Sequence, residues 1–225
     1  MLSSLIIHFR KPLLLLVLIS LPQLVKADTL LIFGDSLSAG YGLKEQEGWA
    51  HLLKQRMAQD YPTYQVVNAS ISGETTTGGL ARLTKALNEF NPNIVLLELG
   101  ANDGLRGLPI KQMQHNLQTM IQQIKKSGSK VILMEMRIPP NYGKRYTELF
   151  QKSFSKIAKQ EQIPLMPFFL QEVAGQQQYL QRDNLHPNAK AQPILLETIW
   201  QFIQPLLPNT ATTQLPSVTN QLTDS

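Results

Sequence analysis

The 225-residue chain contains no cysteine. That excludes disulfide scaffolds, zinc ribbons, thiol nucleophiles and thiolate-held clusters together. Charged residues make up only 16% of the chain, which argues against a long solvated coiled coil. Lys and Arg never gather beyond short pairs, so a nucleic-acid footprint is not expected. After the leading segment only three histidines remain, His51, His115 and His186, scattered along the chain. They do not make a typical His-rich zinc site, and neither a metal nor a cofactor is expected.

What is present points to a packed domain. Hydrophobic residues are 43% of the sequence, enough to rule out disorder throughout. The length suits one domain, and no repeat of 20–50 residues suggests a solenoid. The chain opens with a basic stretch holding Arg10 and Lys11 and no acid, then an apolar run from Leu13 to about Val25. The run falls short of the ~20 residues a membrane helix needs. Val25-Lys26-Ala27 supplies a cleavage site, so the segment reads as a secretory signal cut after Ala27 and an address in the periplasm or outside the cell. An uncleaved anchor is the alternative. Cleavage would carry away Arg10, Lys11 and Lys26, three of the five excess positive charges. Pro208–Ser225 is rich in Thr, Asn, Gln and Ser without any period and reads as a disordered polar tail. The folded unit is expected over about Asp28–Leu207, without a membrane span and with no feature demanding more than a monomer.

Five short apolar runs punctuate that unit: Thr29–Phe33, Tyr64–Asn68, Asn93–Leu99, Lys130–Met136 and a weaker Ile163–Phe168. Bounded by turn residues, they suit strands buried on both faces. Between them apolar residues recur at helical spacing: Trp49, Leu52, Leu53 and Met57; Leu80, Leu83 and Leu87; and Ile110, Met113, Leu117, Ile121 and Ile124. Tyr146, Leu149, Phe150, Phe154 and Ile157 form a fourth stripe, and Ile194, Leu195, Thr198, Ile199 and Phe202 a fifth. This alternation predicts an α/β fold with a five-stranded parallel sheet between helices. Ligands of such sheets sit beyond the carboxyl ends of the strands, so the residues after each strand carry the functional information.

After the first run, Gly34 permits a sharp turn and Ser36 follows with an exposed hydroxyl. After the second, Gly73 offers a free backbone N–H near a ligand. After the third, Asn102 can donate its amide to an oxyanion. Near the end, Asp183 and His186 stand three residues apart before Pro187, as a base and its orienting carboxylate would. Each feature alone is also an ordinary turn, loop or helix start. Their joint occurrence at one edge of the sheet is the stronger signal. Competing motifs fail: Gly40-Tyr41-Gly42 lacks the third glycine of a dinucleotide site, and no Gly-Lys-Ser/Thr follows it. The Gly34-x-Ser36-x-Ser38 turn is not the Gly-x-Ser-x-Gly elbow either.

The stretches ADTLLIFGDSLSAGYG, NASISGETT, LELGANDGLRG, PPNYGKRY, FFL and DNLHPN resemble the GDSL, or SGNH, hydrolase family. Within it they look like the bacterial multifunctional thioesterase, protease and lysophospholipase branch, which includes periplasmic arylesterases. The resemblance implies a flavodoxin-like three-layer α/β/α sandwich. It implies Ser36 as nucleophile, His186 as general base and acid, and Asp183 as its orienter. It places the oxyanion hole at the N–H groups of Ser36 and Gly73 and the side chain of Asn102. The loop Gly100–Pro109 resembles a switch loop that moves on acyl binding, with Leu105 and Leu108 lining the acyl groove. The substrate would be a small acyl ester, thioester or lysophospholipid, with no cofactor. A carbohydrate deacetylase of the same superfamily and a non-catalytic periplasmic binding protein are the competing readings.

Overall fold

A computed structural model describes residues 27–207. The expected signal up to Lys26 and the polar tail from Pro208 lie outside the described residues. In chain order the elements are β1 (Asp28–Gly34), α1 (Ser36–Ala39), α2 (Trp49–Asp60), β2 (Tyr64–Asn68), α3 (Thr76–Phe90) and β3 (Ile94–Glu98). There follow α4 (Ala101–Leu105), α5 (Ile110–Lys126), β4 (Lys130–Met134), α6 (Lys144–Glu161), β5 (Leu165–Met166) and α7 (Gln192–Ile203).

All strand pairs are parallel, in the order β2-β1-β3-β4-β5. Every residue of β3 is buried, and so is β1 after Asp28. Strands covered on both faces need apolar side chains at successive positions, which is why these runs are continuous rather than alternating. From β1 the chain steps one way to β2 and then back past β1 to β3, β4 and β5. Right-handed crossovers put the connections of those two directions on opposite faces. Accordingly α2 packs with α7, while α3 packs on α5 and α5 on α6. The result is the α/β/α sandwich that the alternation predicts.

Four details depart from the expected pattern. The fifth strand is only Leu165–Met166, paired with Leu133 and Met134 at the sheet edge. The fourth ends at Met134, and Met136 is buried in the loop beyond it. In α6, Leu149 is exposed, while Phe150, Phe154 and Ile157 are buried. The buried face of α7 is Gln192, Leu195, Ile199, Trp200 and Ile203, rotated from the stripe through Ile194, Thr198 and Phe202. Gln192 accounts for the rotation: its amide oxygen accepts from Trp49 N at 3.0 Å, and its Nε2 donates to the Pro187 and Asn188 carbonyls. A glutamine so satisfied is buried where an apolar count places solvent.

Candidate active site

The sheet reverses its winding between β1 and β3, and open α/β sheets leave a crevice at such a switch point. Ser36 follows β1 there and Asn102 follows β3. The turn into Ser36 is tight. A Cβ on Gly34 would collide with the Glu98 carboxylate, so glycine is required for the two strand ends to approach. Asp35 caps α1 by accepting from Leu37 N at 3.0 Å, and Ser36 begins the helix half-buried.

The second half of the site arrives late in the chain. Asp183 accepts from the backbone N–H groups of Leu185 and His186 at 2.9 and 3.0 Å, which closes a short loop. Asn184 sits at φ 58°, a conformation Asn tolerates better than most residues. The loop is tied at its base by Gln181 N donating to His186 O at 2.8 Å. His186 Nδ1 lies 2.7 Å from Asp183 Oδ2, and its Nε2 lies 2.9 Å from Ser36 Oγ. Partial burial pushes the Asp183 carboxyl up, but the two backbone donors and the imidazole outweigh it and hold it at about 2. An ionised Asp183 accepts the proton of Nδ1 and leaves the lone pair of Nε2 facing Ser36. The exposed Tyr41 ring packs against the imidazole, with centroids 4.6 Å apart.

Two loops complete the edge. Residues 69–75 are hung on β1 by Ala69 N to Ile32 O at 2.9 Å and Ile71 N to Gly34 O at 3.0 Å. Below, Arg82 pairs with Glu74 and donates to the Ala69 carbonyl at 2.8 Å. Above, Arg106 donates to the Gly73 carbonyl at 2.8 Å. Gly73 itself has φ 78°, which disfavours any side chain there. Asn102 opens from α4, and its Nδ2 donates to Asp35 Oδ2 at 3.0 Å, which leaves the second amide hydrogen available. Among the described residues the backbone N–H groups of Ser36 and Gly73 donate to no protein acceptor. The arrangement therefore offers a hydroxyl hydrogen-bonded to an oriented base, beside three uncommitted donors.

A cleft of about 680 Å³ opens from these residues. Ser36, Gly73, Asn102 and His186 line it, and its apolar walls include Leu37, Leu105, Ile138, Phe168, Leu170 and Val173. Leu105 is among the residues lining it. Leu108 does not line the cleft and is 37% exposed. His51 and His115 lie away from it, His51 at a separate hollow and His115 exposed on α5. Among the described residues no group of three or more His, Cys, Asp or Glu could hold a metal ion. No described helix is long and apolar enough to cross a membrane.

Sequence reasoning overlooked two parts. One is the role of the far wall, Ile138–Pro140 and Phe168–Gly175, parts of which carry the resemblance but whose irregular backbone has no period to place them at the cleft. The other is Glu98, fully buried at the end of β3, whose Oε2 accepts from Asp35 N at 3.1 Å and from Ser38 Oγ at 2.6 Å. An acid closing an otherwise apolar strand was the available signal. Burial, together with the nearby Asp35 charge, pushes the Glu98 carboxyl well above the usual carboxylate range. Burial likewise raises Asp35, to about 6, against the donors that favour its charge.

Residues 32–193 match the GDSL-like lipase/acylhydrolase family. The chain is 49% identical over 192 residues to the esterase TesA of Pseudomonas aeruginosa, covering 85% of this chain and 96% of that one. It is 43% identical over 202 residues to the thioesterase 1/protease 1/lysophospholipase L1 of Escherichia coli, covering 90% and 95%. A crystal structure of the psychrotrophic esterase EstA from Pseudoalteromonas sp., inhibited by monoethylphosphonate, superposes with a TM-score of 0.78 at 45% identity. It covers 81% of this chain and all of that one. The chain belongs to the GDSL-like lipase/acylhydrolase family and is a carboxylic ester hydrolase of that type.

Proposed function

We propose that this member of the family is an exported serine hydrolase that cleaves acyl esters and thioesters, lysophospholipids among them, through an acyl-enzyme intermediate. Ser36 attacks the acyl carbonyl while His186 Nε2 takes its proton, and Asp183 stabilises the resulting imidazolium. The N–H groups of Ser36 and Gly73 and the Asn102 amide hold the oxyanion. His186 then protonates the leaving alcohol or thiol. Water, activated by the same imidazole, attacks the acyl-serine; the acid leaves and Ser36 recovers its proton.

The observation that carries this reading is the Asp183–His186–Ser36 hydrogen-bonded chain at the mouth of an apolar cleft. The cleft favours acyl chains well beyond acetyl, because about 680 Å³ lined by Leu, Ile, Phe and Val is larger and more apolar than a two-carbon acyl group uses. That lining also weighs against the carbohydrate deacetylase reading. Export rests on the basic and apolar leading segment and its cleavage site at Ala27.

The test is hydrolysis of p-nitrophenyl esters from two to sixteen acyl carbons by the mature chain, beside Ser36→Ala. We expect a rate maximum at medium or long chains and loss of activity in the variant. A sharp preference for acetyl would move the assignment to the deacetylase. Undiminished turnover by Ser36→Ala would remove the serine mechanism.

A further inference from the structure

Glu98 takes no part in the steps above, yet it is a fully buried carboxyl directly beneath the nucleophile turn. It stands opposite Gly34 in the β1–β3 register. Its Oε2 accepts from residues on both sides of Ser36: Asp35 N at 3.1 Å and Ser38 Oγ at 2.6 Å. Asp35, 1% exposed, is in turn divided between two donors. Its Oδ1 receives Leu37 N at 3.0 Å and its Oδ2 receives Asn102 Nδ2 at 3.0 Å. Glu98 thus holds Asp35 by its backbone N–H and Asp35 holds Asn102 by its carboxylate, so the contacts step Ser38–Glu98–Asp35–Asn102 from under the nucleophile to the side chain assigned to the oxyanion.

We infer that Glu98 is a positioning residue for hydrolysis, acting through Asp35 to set which way the Asn102 amide faces. The inference rests on the reading of Asn102 as an oxyanion donor. A primary amide is nearly symmetric in shape, and packing alone does not decide which end carries the hydrogens. An anionic acceptor on one side does decide it. Asp35 as a carboxylate can only accept, so it draws Nδ2 toward itself, and the second hydrogen of the same NH₂ is left for substrate. A neutral Asp35 could instead donate to Oδ1 and leave the hole with an acceptor.

Two buried carboxyls side by side do not both ionise, so the proton must rest on one of them. Asp35 has two donors and lies within reach of the His186 charge, which favours an anion there during turnover. Glu98 Oε1 is buried and makes no hydrogen bond, so a charge on Glu98 is the more costly. The proton therefore belongs to Glu98. The other charged groups close to this edge are already engaged, Arg82 with Glu74 and Asp103 with Thr76.

The experiment is a double-mutant cycle read in kcat and KM. Glu98→Leu removes the carboxyl but keeps its bulk, and Glu98→Gln is the neutral isostere. Glu98→Leu should lower kcat at least roughly tenfold, a part of the 10²–10³ typical of losing an oxyanion donor, with KM within about threefold. Glu98→Gln should stay within about threefold of wild type in both. In an Asn102→Ala background, Glu98→Leu should cost nothing further, because the group it orients is gone. Additive losses, a rise in KM at unchanged kcat, or equal losses in Gln and Leu would each overturn the inference. If Glu98→Leu does not fold, Ser38→Ala takes its place in the cycle. It removes only the hydroxyl bracing the carboxyl, and the same non-additivity with Asn102→Ala is required. Asn102→Ala leaving kcat intact would overturn the oxyanion reading itself, a result distinct from additive losses.

Discussion

Ser36 and His186 are 150 positions apart, and what joins them is a pair of turns rather than a shared element. Each turn is set by a carboxylate that accepts backbone N–H groups, Asp35 before Ser36 and Asp183 before His186. Asp183 has the further task of holding the Nδ1 proton. Asp183→Asn could keep the loop while presenting a donor to that nitrogen, so the imidazole would take the wrong tautomer. We expect kcat to fall roughly 10³–10⁴-fold while the fold, read by circular dichroism, is kept. Asn102→Ala should be milder, about 2.7–4 kcal/mol of barrier expressed in kcat, because two backbone donors remain. Single-turnover kinetics with a p-nitrophenyl ester measure both. At this scale the sequence was most informative where a residue type has few uses: one histidine three residues from an acid, one asparagine after a buried strand. For Glu98 it offered only an acid closing an apolar strand, a signal that is interpretable once its neighbours are known. Leu108 shows the converse, since a leucine near a site need not face it.

Elements place these turns, and their legibility followed their burial. β3 and α5 were readable because each has an unbroken covered face, five residues in one case and a 3.6-period stripe in the other. β5 is only two residues at the sheet edge, and α7 turned because a satisfied glutamine replaced an apolar side chain. The short α4 was not legible at all, as five residues hold too little pattern. It nevertheless lines the cleft with Ala101, Asn102 and Leu105. Gly104 lies against α6, where an added Cβ would meet Phe150 Cε2 at 2.6 Å and Ile138 Cγ2 at 2.7 Å. Phe150 is fully buried, so its ring has nowhere to retreat. Gly104→Ala should therefore destabilise the fold by about 1–3 kcal/mol, seen as a fall in Tm of a few degrees. Ile138 also lines the cleft, so KM for long-chain esters should rise more than KM for short ones. An unchanged Tm would mean that α4 shifts freely, and that the cleft wall is softer than its packing indicates.

The whole molecule responds to pH through two carboxyl systems of opposite sign. The Asp35–Glu98 pair is raised by burial, so the native chain binds protons that the unfolded chain has released. Its contribution is fully present below the ordinary carboxylate range, roughly 4, and is lost as pH rises through about 6 and beyond. Asp183, held at about 2, works the other way. Its contribution is present above roughly 4 and is lost as the pH falls toward 2. Asp183 is substantially exposed, so solvent screens its share, while the buried pair is not screened. The alkaline slope should therefore be the steeper of the two. Urea midpoints measured from pH 3 to pH 9 should show wild-type stability declining above about pH 5. Glu98→Gln, which cannot lose a proton, should flatten that decline and leave the acid side unchanged. A chain designed for stability alone would not bury two carboxyls under its sheet edge. Retaining them costs stability at neutral pH, and the oriented amide above Asp35 is the feature for which that cost has a use. An alkaline slope identical in wild type and Glu98→Gln would place the titrating proton elsewhere and separate the stability of this edge from its chemistry.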